Sequence, residues 1–268
     1  MIKDITIGQY IPGETFVHKL DPRTKILLSI LFIISLFIVD KFVGYVLIVG
    51  FLALTVYTAK LPPKYLYKGL NPVFFLIIFT AILNMFVVKG TADTLIFEFG
   101  FIKIYTEGLR TAGFMALRLI FLIMGTSVLT LTTSPIELTG SMKRLLKPIG
   151  KELAHELAMM MTIALRFIPT LIEETQKIMN AQKARGADLE NGKLIERIKA
   201  LIPILIPLLI SSVRRAYELA EAMECRCYHG GDGRTKMKLL RYKRWDFEAF
   251  GVGAVVLAVI VVLRLFGL

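Results

Sequence analysis

Four runs of this 268-residue chain leave the backbone little choice. Residues 42–59, 72–88, 109–131 and 247–266 are almost wholly apolar. Run 42–59 is about 27 Å long at the helical rise of about 1.5 Å per residue, close to the hydrocarbon thickness of a bilayer. In lipid every N–H and C=O must find a partner within its own segment, which selects α-helices. A fifth run, 26–39, is short, but Leu20-Asp21-Pro22-Arg23 supplies a helix start ahead of it. Asp21 can cap free amides, and Pro22 suits the first helical position because its missing N–H costs nothing there. Arg23 and Lys25 are then expected to snorkel to the membrane surface. With 55% hydrophobic residues and a mean hydropathy of +0.65, the pattern predicts an all-α membrane protein with about five transmembrane helices.

The net charge of +12 sets an orientation. It concentrates in the N-terminal segment (Lys3, Lys19, Arg23, Lys25), in residues 60–68, and beyond Thr132. The Asp40-Lys41 break and residues 89–107 are poor in net positive charge. The N-terminus and the region after Thr132 are therefore expected in the cytoplasm and the C-terminus outside. The expected division is 1–131 for four transmembrane helices, 132–246 for a cytoplasmic region, and 247–268 for the last transmembrane helix of a multi-pass cell-membrane protein. Residues 60–71, with Leu61-Pro62-Pro63, are read as a loop. Residues 89–107, broken by Gly90, Asp93 and Gly100 and partly alternating, are read as an external loop holding a short hairpin or interfacial helix. Lys3 and Asp4 precede a polar segment, so no cleavable signal peptide is expected. No recognition motif interrupts the spans, which sets nucleic acid aside as a partner.

Two long amphipathic runs lie within 132–246. A short helix precedes them, announced by Ser134, Pro135 and Glu137. In the first long run, Leu153, Leu157, Met160, Ala164, Ile168, Leu171, Thr175 and Ile178 recur at spacings of three and four, one face of a helix that Pro169 should bend. It ends in Ala184-Arg185-Gly186, with Gly186 placed for a left-handed cap. The second run, 194–225, is very apolar around Pro203 and Pro207, which suits contact with the bilayer surface or packing under the spans. It ends in Cys225-Arg226-Cys227. An arginine at a helix C-terminus gains from the dipole. Two such ends, each flanked by small residues, point further: a guanidinium free to enter a partner's groove and pair its fork of donors with carboxylates or carbonyls.

At this point the chain resembles the transmembrane T component of energy-coupling factor (ECF) transporters, the family that includes the corresponding subunit of cobalt importers. The matching stretches are PGETFVHKLDPRTK, LTTSPIELTGSMKRLLKPIG, ALRFIPTLIEETQKIMNAQKARGAD and LIPLLISSVRRAYELAEAMECRCYHGGDGRT, in the family's order over most of the chain. The resemblance implies an all-α scaffold with two to three amphipathic cytoplasmic coupling helices. Two of these would end in Ala-Arg-Gly triplets that dock on two ABC-type ATPase subunits. Here the first triplet, Ala184-Arg185-Gly186, is intact. The second, Cys225-Arg226-Cys227, keeps the arginine. Cys for Ala is nearly isosteric, but Cys for Gly tells against a left-handed residue at 227, where a Cβ costs roughly 1 kcal/mol. The resemblance further implies a non-catalytic role without cofactor, transmitting ATP-driven motion to a substrate-binding membrane subunit for vitamin or micronutrient uptake. A subunit dedicated to a cobalt or nickel importer is the alternative, and HKLDPRTK with the two-triplet layout favours the shared form of the family, in which one T component serves many vitamin-binding subunits.

Other residues carry less. No Gly-rich phosphate loop is present, and Gly230-Gly231-Asp232-Gly233 reads as an exit loop. Cys225, Cys227 and His229 are metal-ligand types, but three ligands on one short segment make a poor closed site, so reduced cytoplasmic thiols are expected. Arg118, inside a span, should face protein or water. It is read as paired with a carbonyl or with Glu107, the competing reading being a self-sufficient secondary transporter. That reading requires paired inverted halves, which are not seen. An intramembrane enzyme would need catalytic carboxylates or a Ser-His set in the spans; none is found. His18 and His155 are read as solvated or interfacial, Glu173-Glu174 as a solvated face, and Met159-Met160-Met161 as adaptable packing.

Overall fold

The structure is a computed structural model and describes residues 10–39, 41–87, 95–99, 102–146, 148, 150–187, 194–230 and 241–266. The readings of Lys3, Asp4, Asp40, Gly90, Asp93, Gly100 and residues 231–233 fall outside these. The described chain is all-α apart from one hairpin: α1 (Phe16–Lys19), α2 (Pro22–Ile38), α3 (Phe42–Ala59), α4 (Pro63–Val87), β1 (Leu95–Phe99), β2 (Ile102–Tyr105), α5 (Thr106–Thr132), α6 (Pro135–Leu145), α7 (Lys151–Ala184), α8 (Leu194–Glu224) and α9 (Arg244–Leu265). The partial alternation after residue 94 is the antiparallel β1–β2 pair, whose backbone register sets Phe97 opposite Ile104 and Phe99 opposite Ile102. Six of the helices are long and apolar enough to cross a membrane: α3, α4, α5, α9 and the greater parts of α7 and α8, the last two being the least apolar. The helix α2, with 17 residues, is slightly shorter than these.

The described residues form two compact units, one of 10–138 with 241–266 and the other within 139–230. In the first, α2, α3, α5 and α9 surround a core of Phe32, Leu36, Val39, Tyr45, Ile48, Leu52 and Ile260. The cap at Asp21 and Pro22 forms as the sequence indicates: the Asp21 carboxylate accepts from the Arg23 amide, and Pro22 opens α2.

The loop expected at 60–71 is instead the first two turns of α4, which starts at Pro63 and runs through Pro72. A proline inside a helix removes one backbone bond. Burial outweighs that loss here. Leu66 is buried with Leu61, Val17, Ala59, Val128 and Leu131, and Gly69 brings the helix so close to α5 that a Cβ would sit 3.0 Å from the Ser127 hydroxyl.

Arg23 and Lys25 do not snorkel outward; both turn into the protein and are only 7% and 5% exposed. Buried charge requires partners, and the fold supplies them from distant segments. Arg23 donates through Nε and Nη2 to the Asp21 carboxylate, both at 3.2 Å, and lies 4.6 Å over the Tyr242 ring. Asp246, 1% exposed, accepts from the Asp21 amide at 2.8 Å and from the Lys243 amide at 2.7 Å. Lys25 Nζ donates to His18 O at 3.1 Å, in the single turn of α1, and to Thr132 O at 2.8 Å, the last carbonyl of α5, where the helix dipole favours a cation. One polar cluster thus ties the starts of α2 and α9 to the end of α5. His18 is not simply solvated: it hydrogen-bonds Thr15 at 2.6 Å and Ile11 O at 3.1 Å. Burial, and then the charge of Lys25, lower its pKa.

Arg118 has a carbonyl partner, as one reading of the sequence held. Its Nη2 donates to Val39 O at 3.0 Å, beyond the end of α2, and its guanidinium lies 5.4 Å from the Phe37 ring.

Candidate functional site

The second unit is built on α7 and α8. Glu174 of α7 accepts from the Ser211 hydroxyl and from Arg215 of α8, so this carboxylate joins the helix pair rather than belonging to a solvated face, whereas Glu173 is exposed. Gln182 Nε2 donates to Pro203 O at 3.3 Å. Toward the other end Ile163 and Phe167 face Ala216, Leu219 and Met223 around a shared hollow. The Tyr228 hydroxyl lies 3.5 Å from His155 Nε2, and Lys143 meets the other nitrogen of that ring, so His155 too has partners. These pairs run in opposite order along the two helices, so α7 and α8 are antiparallel. Leu153, Leu157 and Met160, on the apolar stripe read from the sequence, remain 46–62% exposed; the pairing uses another face.

Antiparallel pairing sends the two triplets to opposite ends. His155 to Gln182 alone spans about 40 Å at the helical rise of about 1.5 Å per residue. Each end is closed in the same way. After α7, Gly186 takes φ +87, its amide bonds Lys183 O at 3.0 Å, and the Ala187 amide bonds Gln182 O at 3.0 Å. After α8, Cys227 takes φ +52, its amide bonds Glu224 O at 2.8 Å, and the Tyr228 amide bonds Met223 O at 3.1 Å. Both are Schellman closures, with a left-handed residue following the arginine. The expectation against a left-handed residue at 227 is therefore corrected: the two closing bonds hold Cys227 there despite its Cβ. Cys227→Gly is expected to stabilise this helix end by about 1 kcal/mol, read as a small rise in the thermal unfolding midpoint; Cys225→Gly, before the turn, should lower it.

Ala184, Arg185, Gly186, Cys225, Arg226 and Cys227 are all exposed, and both cysteines are free thiols. Among the described residues neither the Arg185 nor the Arg226 side chain makes a hydrogen bond or ion pair, and no three His, Cys, Asp or Glu side chains gather as a metal site. Each guanidinium follows its helix at a hydrogen-bonded closure, with its donors unused among the described residues.

The fold defines a polytopic α-helical membrane protein carrying an antiparallel helix pair with an arginine at each end. A family model for cobalt transport proteins, CbiQ, matches residues 13–237. The energy-coupling factor transporter transmembrane protein EcfT of Clostridium kluyveri is 61% identical over 251 residues, covering 93% of each chain. The proteins of the same name from Ruminiclostridium cellulolyticum and Bacillus subtilis are 50% and 45% identical, covering 98% of both chains in the first case and 96% and 97% in the second. The chain belongs to this EcfT/CbiQ family and is a transmembrane component of an ECF transporter.

Proposed function

We propose that the chain is the non-catalytic coupling subunit of an ECF-type importer. Arg185 and Arg226 each seat in one of two ABC-type ATPase subunits, which hydrolyse the ATP. Movement of the ATPases shifts α7 and α8, and the shift passes to a separate substrate-binding membrane subunit that carries a vitamin or similar micronutrient. In this reading 132–246 is the cytoplasmic coupling region between spans in 1–131 and 247–268.

The observation that carries it is the twin closure. Two guanidinium groups, identically capped and unpartnered among the described residues, stand at opposite ends of one helix pair, a spacing suited to two like partners rather than one. A planar fork of donors fits carboxylates or carbonyls in a groove. The exposed apolar Leu201, Leu205 and Leu209 of α8 supply surface for the bilayer or the substrate subunit. A second reading, a dedicated cobalt or nickel importer, draws on the cobalt-transport description of the family model.

The test is co-purification. The tagged chain should bring down two ATPase chains and one substrate-binding membrane subunit, and recovery without any ATPase would end the proposal. The bound subunit's ligand decides between vitamin and metal. Arg118 separates the coupling role from a secondary transporter. Arg118→Leu should lower stability by about 1–3 kcal/mol through orphaned partners and leave the KM for uptake unchanged. A KM shift without loss of stability would favour a substrate pathway through Arg118.

A further inference from the structure

A cavity of about 280 Å³ lies within the membrane-span unit, among α1, α2, α3, α5 and α9. Its floor includes Val17, Phe32, Leu52 and Val128, all buried. Its rim includes Leu54, Thr58 and Glu248, all exposed. Almost all of its lining is apolar, and the hydroxyls in it are taken by their own helices: Ser29 donates to Lys25 O at 2.9 Å, Thr55 to Phe51 O at 2.7 Å, and Thr132 to Val128 O at 2.7 Å.

One polar group stands apart. Lys25 lines the cavity and is 5% exposed. An ammonium has three donors, and the carbonyls of His18 and Thr132 take two. That leaves one donor on a cation at the edge of an apolar hollow. Burial works against this charge and the carboxylates of Glu137, Asp246 and Asp21 favour it; a neutral acceptor can take the remaining donor without bringing a further charge into the apolar hollow. From Lys25 the cavity reaches Phe32, two turns down α2 and about 10 Å along it, within a leaflet about 15 Å deep.

We propose that this cavity binds one acyl chain of a bilayer phospholipid, with the ester carbonyl accepting from Lys25 and the chain lying against Phe32 and Phe51. An acyl chain is the apolar occupant that a span unit meets at every moment, and its ester carbonyl is a neutral acceptor attached to the chain's head. The bound chain fills the space between α3 and α9 and completes the coordination of the cation that fastens the end of α5.

The experiment uses the full chain in nanodiscs of phosphatidylcholine carrying a diazirine midway along one acyl chain. After irradiation the labelled peptides are mapped. Label is expected on the segments holding Phe32, Phe51 and Leu129, as well as on outward positions such as Val46. Ala249→Trp, which fills the cavity from α9, should lower the cavity label about tenfold and leave the Val46 label unchanged. Should that variant fail to fold, the wild-type map decides by itself. Label confined to outward faces, or cavity label that survives Ala249→Trp, overturns the proposal. So does displacement of the label by excess free fatty acid, which would assign the site to a carboxylate. Cavity residues that cross-link to the substrate-binding subunit instead of lipid in the assembled transporter also overturn it.

Discussion

Arg185→Glu combined with Arg226→Glu is expected to strip both ATPase subunits from the chain and reduce ATP-coupled uptake to background. Either reversal alone should leave the complex assembled but slow uptake severely. Replacing one partner of a desolvated, hydrogen-bonded charge contact costs about 2–5 kcal/mol, and each 1.4 kcal/mol is about tenfold in affinity. Under the proposed role each tip seats in one ATPase; if the two ATPases also pair with each other, the tips act as a bivalent clamp and one intact tip would keep the assembly together through effective concentration. Loss of both removes the clamp. The bland alternative has its own magnitude. If the arginines only complemented the helix dipole, reversal would change stability by about 0.3–1 kcal/mol and leave the ATPases bound. Both side chains are exposed and unpartnered among the described residues, so folding should survive, which a thermal melt of each variant checks. Arg185→Lys with Arg226→Lys keeps the charge and loses the fork; partial uptake there would show that geometry matters beyond charge. Retention of both ATPases and full uptake by the double reversal would remove the coupling role from the triplets.

The parts of this architecture that were legible in the sequence are those written in local chemistry. Asp21-Pro22 and Ser134-Pro135 place their helix starts because a cap acts within one turn; the Glu137 amide donates to the Ser134 hydroxyl at 3.3 Å. The apolar run 42–59 is α3 to the residue, since Lys41 and Lys60 bound it. Three of the misreadings have distant causes. Pro62-Pro63 looked like a loop, yet Pro63 can begin a helix and Leu66 is buried by residues of α1, α3 and α5. Lys25 looked like a surface anchor, but its partner Thr132 lies 107 residues away. Glu174 looked solvated because Ser211 and Arg215 are invisible from its own helix. The triplets were found by their repetition, while their identical closures required the backbone: nothing in the residue types announces that Cys227 would adopt the conformation of Gly186.

Asp246→Ala is expected to be the most damaging single substitution in the membrane-span unit. The Asp246 carboxylate is 1% exposed, and each of its oxygens accepts one backbone amide, Oδ1 from Asp21 and Oδ2 from Lys243. Truncation leaves both donors without an acceptor at the starts of α2 and α9. A buried donor without a partner costs about 1–3 kcal/mol, so about 2–6 kcal/mol is at stake, or about 5–15 °C in the unfolding midpoint. The loss reaches further than two bonds. Asp21 also holds Arg23, so a freed Asp21 backbone loosens a buried ion pair whose arginine is then poorly compensated. Asp246→Asn keeps one acceptor and should fall between Ala and wild type. Glu248→Ala, two residues on and exposed, should stay within about 0.5 kcal/mol. Thermal unfolding of the detergent-solubilised variants, followed by tryptophan fluorescence from Trp245, orders the series directly. Should Asp246→Ala melt within a degree of wild type while Glu248→Ala does the same, the clamp between α2 and α9 contributes nothing, and the apolar core alone must hold the ends of these helices together.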